Sequence, residues 1–250
     1  MVAGFAVGAI VGMTGVGGGS LMTPLLMGVF RLQPAVAIGT DLWFAGLTKT
    51  GGWAAHARQG HVEGRVVALM LAGSLPAALL TLAALKSIGG SQDHGAMLAF
   101  SLGIALLLTA LTVAYRRAWS ALGLRIERLL SVRQRDGLTF SAGLLLGVLV
   151  TLSSVGAGAI GATLILLLYP RLPAQKVVGT DIAHAVPLTL VAAAGHAWLG
   201  HVNWPLLGAL LLGSLPGIWL GARATRLLPE RLIRALLCAS LIGAGIKVLA

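Results

Sequence analysis

The sequence predicts an all-α polytopic membrane protein built from two inverted repeats, each a glycine-broken re-entrant helical hairpin followed by three transmembrane helices. Three observations predict it. First, 57% of the 250 residues are hydrophobic and only 10% are charged, whereas soluble domains carry about 25% charged residues; the mean hydropathy is +0.93. Second, short words of sequence recur at a fixed offset of 140 positions, as from 39 to 179. Third, Lys and Arg sort to one side of a membrane only if the first segment of each half turns back on itself.

The hydrophobic segments of the first half lie near 2–30, 39–57, 66–85 and 96–115, and those of the second near 138–169, 180–199, 205–222 and 232–249. The opening stretch "MVAGFAVGAIVGM" lacks a basic flank, so it does not read as a cleaved signal peptide. It ends in "TGVGGGS" (14–20), and the arms on either side, Val2–Met13 and Ser20–Val29, are each too short to span. By contrast, "MLAFSLGIALLLTALTVAY" (Met97–Tyr115) holds 19 uncharged residues, enough to cross about 30 Å of hydrocarbon. No strand-like alternation occurs, and helices satisfy their own backbone groups in lipid. A connector with six Arg, 116–136, contains "LRIERLL", the spacing of a short interfacial helix. The second half breaks at "SSVGAGA" (153–159). The chain thus divides into a first membrane repeat (1–115), a basic cytoplasmic connector (116–136) and a second repeat (137–250).

The repeat shows in four words. "GTD" stands at 39–41 and 179–181, "GHV" at 60–62 and 200–202, "GSLP" at 73–76 and 213–216, and "RL" at 31–32 and 171–172. His56 matches His196, and "VGGG" at 16–19 meets "VGAG" at 155–158, one residue out of register. A unit this long is no solenoid repeat and suits the duplicated halves of a transporter.

Charge decides the topology. If every segment crosses once, Lys and Arg divide almost evenly between the two sides. If each first segment is a hairpin, the inside set is Arg58, Arg65, the six connector Arg, Arg171, Lys176, Arg223, Arg226, Arg231 and Arg234, fourteen in all. Outside are three: Arg31, Lys86 and Lys247. The excess of basic residues in cytoplasmic loops selects the hairpin arrangement. Three full crossings per half then insert the second half upside down, with 223–234 inside and 86–95 and 200–204 outside. The same rule accounts for the formal charge of +11, so nucleic acid is not an expected partner.

Both glycine breaks should lie within the membrane, where irregular backbone is tolerated only against protein or a watery cavity. Each is followed by the start of a half-helix, at Ser20 and Ala159, with free N–H groups and positive partial charge. Two such ends aimed at one place near the midplane make an anion site. The expected substrate-binding residues are Thr14, Gly17, Gly18, Gly19 and Ser20 at the first break and Ser153, Ser154, Gly156 and Gly158 at the second. The alternative is that these glycines only allow close helix packing. No Lys follows them as in a nucleotide-binding loop, and Ser20 stands where a dinucleotide fingerprint needs its third Gly.

Lys49 lies within an expected span away from its ends, whereas Arg234 and Lys247 lie near the ends of the last one, and burying an ammonium in lipid calls for a partner. The functional reading gives it the substrate anion; the alternative is a structural pairing or snorkelling. Asp41 and Asp181 follow Gly-Thr at expected helix starts, where they either cap a helix or serve as proton- or cation-coupling carboxylates. His184, three residues after Asp181 on the same helix face, is a candidate proton-relay partner. His56 with His61 and His196 with His201 suit helix C-termini and sit on opposite sides of the membrane, so no shared metal is expected. Cys238, the single cysteine, excludes an internal disulfide. No cofactor is called for. Two rival classes are a passive anion channel and an intramembrane hydrolase using Ser20, Ser153 or Ser154, the latter without any G-x-S-x-G context.

The pattern "GVGGGSLMTPLL" after Thr14, then "AIGTD", then "HARQGHVEG", with its weaker second copy, resembles the TauE/SafE family of sulfite exporters, also called the 4-toluene sulfonate uptake permease family, over essentially the whole chain. The resemblance implies a multi-pass permease of the cell inner membrane or plasma membrane, not an enzyme, that carries sulfite, sulfoacetate, sulfonates or related small anions. Members more often have Ser or Asn after Gly-Thr, where this chain has Asp41 and Asp181.

Overall fold

The computed structural model describes residues 4, 5, 8, 9, 19–88, 95–224 and 230–249, and these form helices and connecting turns without strands. The helices are α1 (Gly19–Gly28), α2 (Pro34–Arg58), α3 (Gly64–Ile88), α4 (Gly95–Ala114), α5 (Arg116–Glu127), α6 (Val132–Ser153), α7 (Ala159–Leu168), α8 (Ala174–Trp198), α9 (Trp204–Ala224) and α10 (Glu230–Leu249). Among them α3, α4, α6 and α8 are long and apolar enough to cross a membrane. The tip of the first expected hairpin, residues 14–18, lies outside the described residues.

Proline sets the starts of the two central helices. Pro34 opens α2 and Pro173 is the N-cap of α8; its fixed φ suits the first turn and it has no N–H to leave unsatisfied. Both helices therefore begin seven residues before Asp41 and Asp181. The expectation that Gly-Thr-Asp stands at a helix start is corrected accordingly: these carboxylates lie inside their helices and cap neither.

α2 and α8 pack along each other, and a reciprocal contact fixes their direction. The Asn203 N–H, just beyond α8, donates to Thr40 Oγ1 near the start of α2 at 3.0 Å. The Glu63 N–H, just beyond α2, donates to Thr180 Oγ1 near the start of α8, also at 3.0 Å. A side chain at Gly39 would strike the His201 carbonyl, and one at Gly179 the His61 carbonyl. The repeated words "GTD" and "GHV" are thus two halves of one clasp, used twice. Because the start of each helix meets the end of the other, α2 and α8 run antiparallel.

A second repeated contact flanks this pair. Gly143 and Gly147 of α6 lie against the backbone of Met70 and Ser74 of α3, and Gly4 and Gly8 lie likewise against Leu210 and Ser214 of α9. In lipid, helices gain by close packing rather than by release of water, which favours small residues at such contacts. Leu102, Leu106 and Leu241 seal α4 against α10, while Ile38, Leu42, Leu146, Val150, Ile165 and Leu188 fill the centre.

The opening segment of the second half is a hairpin. Glu127 of the connector pairs with Arg135 at the start of α6 and with Arg171 after α7, at 3.9 and 2.9 Å. The Thr139 and Tyr169 hydroxyls share a 2.9 Å hydrogen bond. Both ends of the hairpin therefore lie at one end of the molecule. Its arms are unequal, 22 residues in α6 and 10 in α7. α6 starts in the polar run Val132–Gly137 and is long enough to span; its Thr151 carbonyl reaches His196 near the end of α8, accepting from Nε2 at 2.9 Å.

Candidate functional site

The glycine break of the second half is a strip of backbone laid along α2 and α8. Ser154 leaves α6 in the left-handed region, φ 59°, and Gly156 and Gly158 follow at φ 121° and 137°. L side chains avoid such values, so the break needs glycine at both. Each step of the strip meets one charged residue. The Ser154 hydroxyl lies beside the Asp41 carboxylate. Lys49 Nζ donates to the Ala157 carbonyl at 2.7 Å. The Gly158 N–H lies beside the Asp181 carboxylate.

Asp41, Asp181 and His184 are buried, and Lys49 is half-buried. Helix α2 is 25 residues long with its midpoint at Gly46, and Lys49 is three residues past it. Lys49 lies within electrostatic reach of both carboxylates. It forms an ion pair with neither; the four ion pairs among the described residues lie elsewhere. The lack of a direct Lys49–Asp41 bridge follows from the helix, because eight residues rotate the two side chains about 80° apart.

The carboxylates serve the short helices. Thr23 of α1 offers its hydroxyl to Asp41 Oδ2. Asp181 stands at the start of α7, so close to Gly161 that a Cβ there would strike Oδ1. The Gly161 N–H is taken by the Gly156 carbonyl at 3.0 Å. The Asp181 carboxylate thus stands at the helix start where an anion is expected, a favourable placement at the positive end of the helix dipole.

Four buried side-chain atoms beside this strip have no hydrogen-bond partner: Asp41 Oδ1, Ser154 Oγ, Asp181 Oδ1 and His184 Nδ1. Buried polar atoms are nearly always paired, and a cluster of orphans marks a place shaped for something else. His184 Nε2 meets Ser74 Oγ of α3 at 3.0 Å. With Nδ1 unpartnered, this Ser–His contact lacks the third group that would orient a catalytic base.

The other expected residues fall as follows. Ser153 is spent locally, its hydroxyl on the Leu149 carbonyl at 2.6 Å and accepting from the Val155 N–H at 3.1 Å. A hydroxyl in the last helical turn bonds back to the preceding carbonyl in this way. Gly19 opens α1, one residue before the expected start, with Ser20 in its first turn; Thr14, Gly17 and Gly18 lie outside the described residues. The histidines pair as rings, His56 with His61 at 5.6 Å and His196 with His201 at 5.5 Å. Among the described residues no group of three or more His, Cys, Asp or Glu is placed to hold a metal ion. Sequence reasoning missed Thr23 and Ser74. Their only signals are position, Thr23 in the first hairpin and Ser74 in the repeated "GSLP".

The family model described as sulfite exporter TauE/SafE matches residues 1–248. The probable membrane transporter protein YjnA of Bacillus subtilis (strain 168) is 34% identical over 98% of this chain and 97% of its own. YdhB of the same strain, also named a probable membrane transporter protein, is 25% identical over 98% and 97%. A probable membrane transporter protein of Xylella fastidiosa (strain Temecula1 / ATCC 700964) is 30% identical over 90% and 83%. No solved structure matches the chain.

Proposed function

Because the chain belongs to the sulfite exporter TauE/SafE family and is a multi-pass membrane transporter, we propose that it is a secondary carrier of small anions, sulfite or organosulfur anions such as sulfonates, in the cell or inner membrane. The observation that carries this reading is the 2.7 Å contact of the Lys49 ammonium with the Ala157 carbonyl on the glycine strip, in a place lined by orphaned polar atoms. A carbonyl is a neutral acceptor. A sulfite or sulfonate oxygen is a charged one and makes the stronger hydrogen bond, so the anion takes the ammonium from Ala157 and loosens the strip.

The proposed architecture is a pair of inverted halves, 1–115 and 137–250, joined by the cytoplasmic connector 116–136. The antiparallel run of α2 and α8 supports it. So does the placement of ion pairs: Lys176 with Glu63 at 2.5 Å, Arg65 with Asp136 at 2.6 Å, and Arg135 and Arg171 with Glu127 all join loops assigned to the inside. Lys86 caps the Trp198 ring at 3.8 Å at the opposite end.

The test is uptake and efflux of sulfite, sulfoacetate and methanesulfonate in proteoliposomes. A carrier gives saturable flux and exchange across the bilayer. Flux that rises linearly with concentration points to a channel, and no flux of any sulfur anion overturns the reading.

A further inference from the structure

Resting on the anion reading above, we infer that Asp41, Thr23 and Ser154 form a seat for a small monovalent cation that travels with the anion. The first argument is charge. The site holds one formal positive charge, Lys49, and two formal negative ones, Asp41 and Asp181. An anion entering beside Lys49 takes the sum from −1 to −2 in a place screened from water, where an uncompensated charge is expensive. A cation arriving with it returns the sum to −1.

The second argument is the chemistry of the three side chains. Asp41 is fully buried and Ser154 is 4% exposed. Asp41 Oδ1 and Ser154 Oγ each lack a hydrogen-bond partner, and the Ser154 hydroxyl lies beside the Asp41 carboxylate. Thr23 completes the group through its hydroxyl on the other carboxylate oxygen. A carboxylate with two hydroxyls is an all-oxygen set, which suits a hard cation, and a proton on Oδ1 would equally join the two orphans. Asp181 is different: its neighbours are the Gly158 N–H and the start of α7, where the partial positive charge of a helix start favours a carboxylate over a cation. The charged group acting on Asp41 is Lys49 of its own helix; α1 brings Thr23 and the strip brings Ser154, neither charged.

The three side chains come from both halves, Thr23 and Asp41 from the first and Ser154 from the second. A cation held between them ties the strip to α2 on one side of Lys49. The seat is therefore complete only while the strip lies along α2, which links cation binding to the conformation that presents Lys49.

Accumulation of radiolabelled sulfite in proteoliposomes tests this. One arm uses an inward sodium gradient at equal pH, the other an inward proton gradient in sodium-free choline medium. The expected result is accumulation above equilibrium in one arm, which also identifies the ion. Asp41→Asn should lose accumulation while still binding sulfite in calorimetry. Ser154→Gly, which keeps the left-handed backbone and deletes the hydroxyl, should raise the cation concentration for half-maximal rate about tenfold. If sulfite equilibrates but neither gradient concentrates it, or if both variants accumulate it as the parent does, the cation seat is overturned and the anion reading stands. If no sulfite moves in any arm, both fall together.

Discussion

Lys49 has no counterpart in the other half: Thr189 stands at the equivalent position and spends its hydroxyl on the Ala185 carbonyl at 2.8 Å. The scaffold is duplicated but the charge is not, so the symmetry of the fold does not require Lys49. His184 is unpaired in the same sense, since Phe44 is its equivalent. A hydrogen bond to a charged group contributes about 1.5–3 kcal/mol. Lys49→Met should therefore weaken sulfite binding roughly 10- to 150-fold by that figure with the fold retained. Lys49→Arg should keep part of the affinity, because guanidinium is also cationic but differently shaped. Calorimetric titration reads both, and tight sulfite binding by Lys49→Met would make Lys49 structural.

At the scale of the element, the glycine strip was legible and its contents were not. A run of glycine inside an apolar segment can only mean a break, because glycine is the residue least easily ordered in a helix. Which groups the break faces depends on how far each arm runs. α6 continues to Ser153 without interruption, so the strip descends along α2 and α8 and meets Asp41, Lys49 and Asp181 in turn. The capping reading of the two Asp failed for a related reason: Pro34 and Pro173 start the helices earlier than the hydrophobic pattern suggests. Gly158, at φ 137°, accepts no side chain without strain of order 1–3 kcal/mol. Gly158→Val should abolish transport at unchanged expression, measured as sulfite flux per purified protein. Flux at the parent's level would make the strip mere packing.

For the whole molecule, the distribution of charge is the testable property. Glu127 gathers both ends of the second hairpin, Glu63 holds Lys176, and Asp136 holds Arg65, so the few acids in the chain pin the basic loops to one another. Exposed pairs of this kind contribute little stability, about 0–1 kcal/mol each. Their value lies in fixing which ends are neighbours. In a Cys238→Ser background, a membrane-impermeant thiol reagent added outside intact cells should label Ser87→Cys, at the end of α3, and not Ser131→Cys, before α6. The reverse pattern would invert the topology.

By itself the sequence determined the class of the molecule and its internal duplication. Hydrophobicity and the scarcity of charge act through composition, and the repeated words act through position, so neither needs coordinates. It also singled out Lys49, Asp41, Asp181 and His184, because an ionisable residue in an apolar run stands out without any neighbour being known. Only the tertiary structure decided what each of them meets. The partner of Lys49 is 108 residues away, and of the two hydroxyls beside Asp41 that of Ser154 comes from the opposite half. The clasp between "GTD" and "GHV" joins words that the repeat alone would have left as separate coincidences. Contacts of this kind depend on helix length, direction and register, which are set by packing across the whole fold and leave no local trace in the chain.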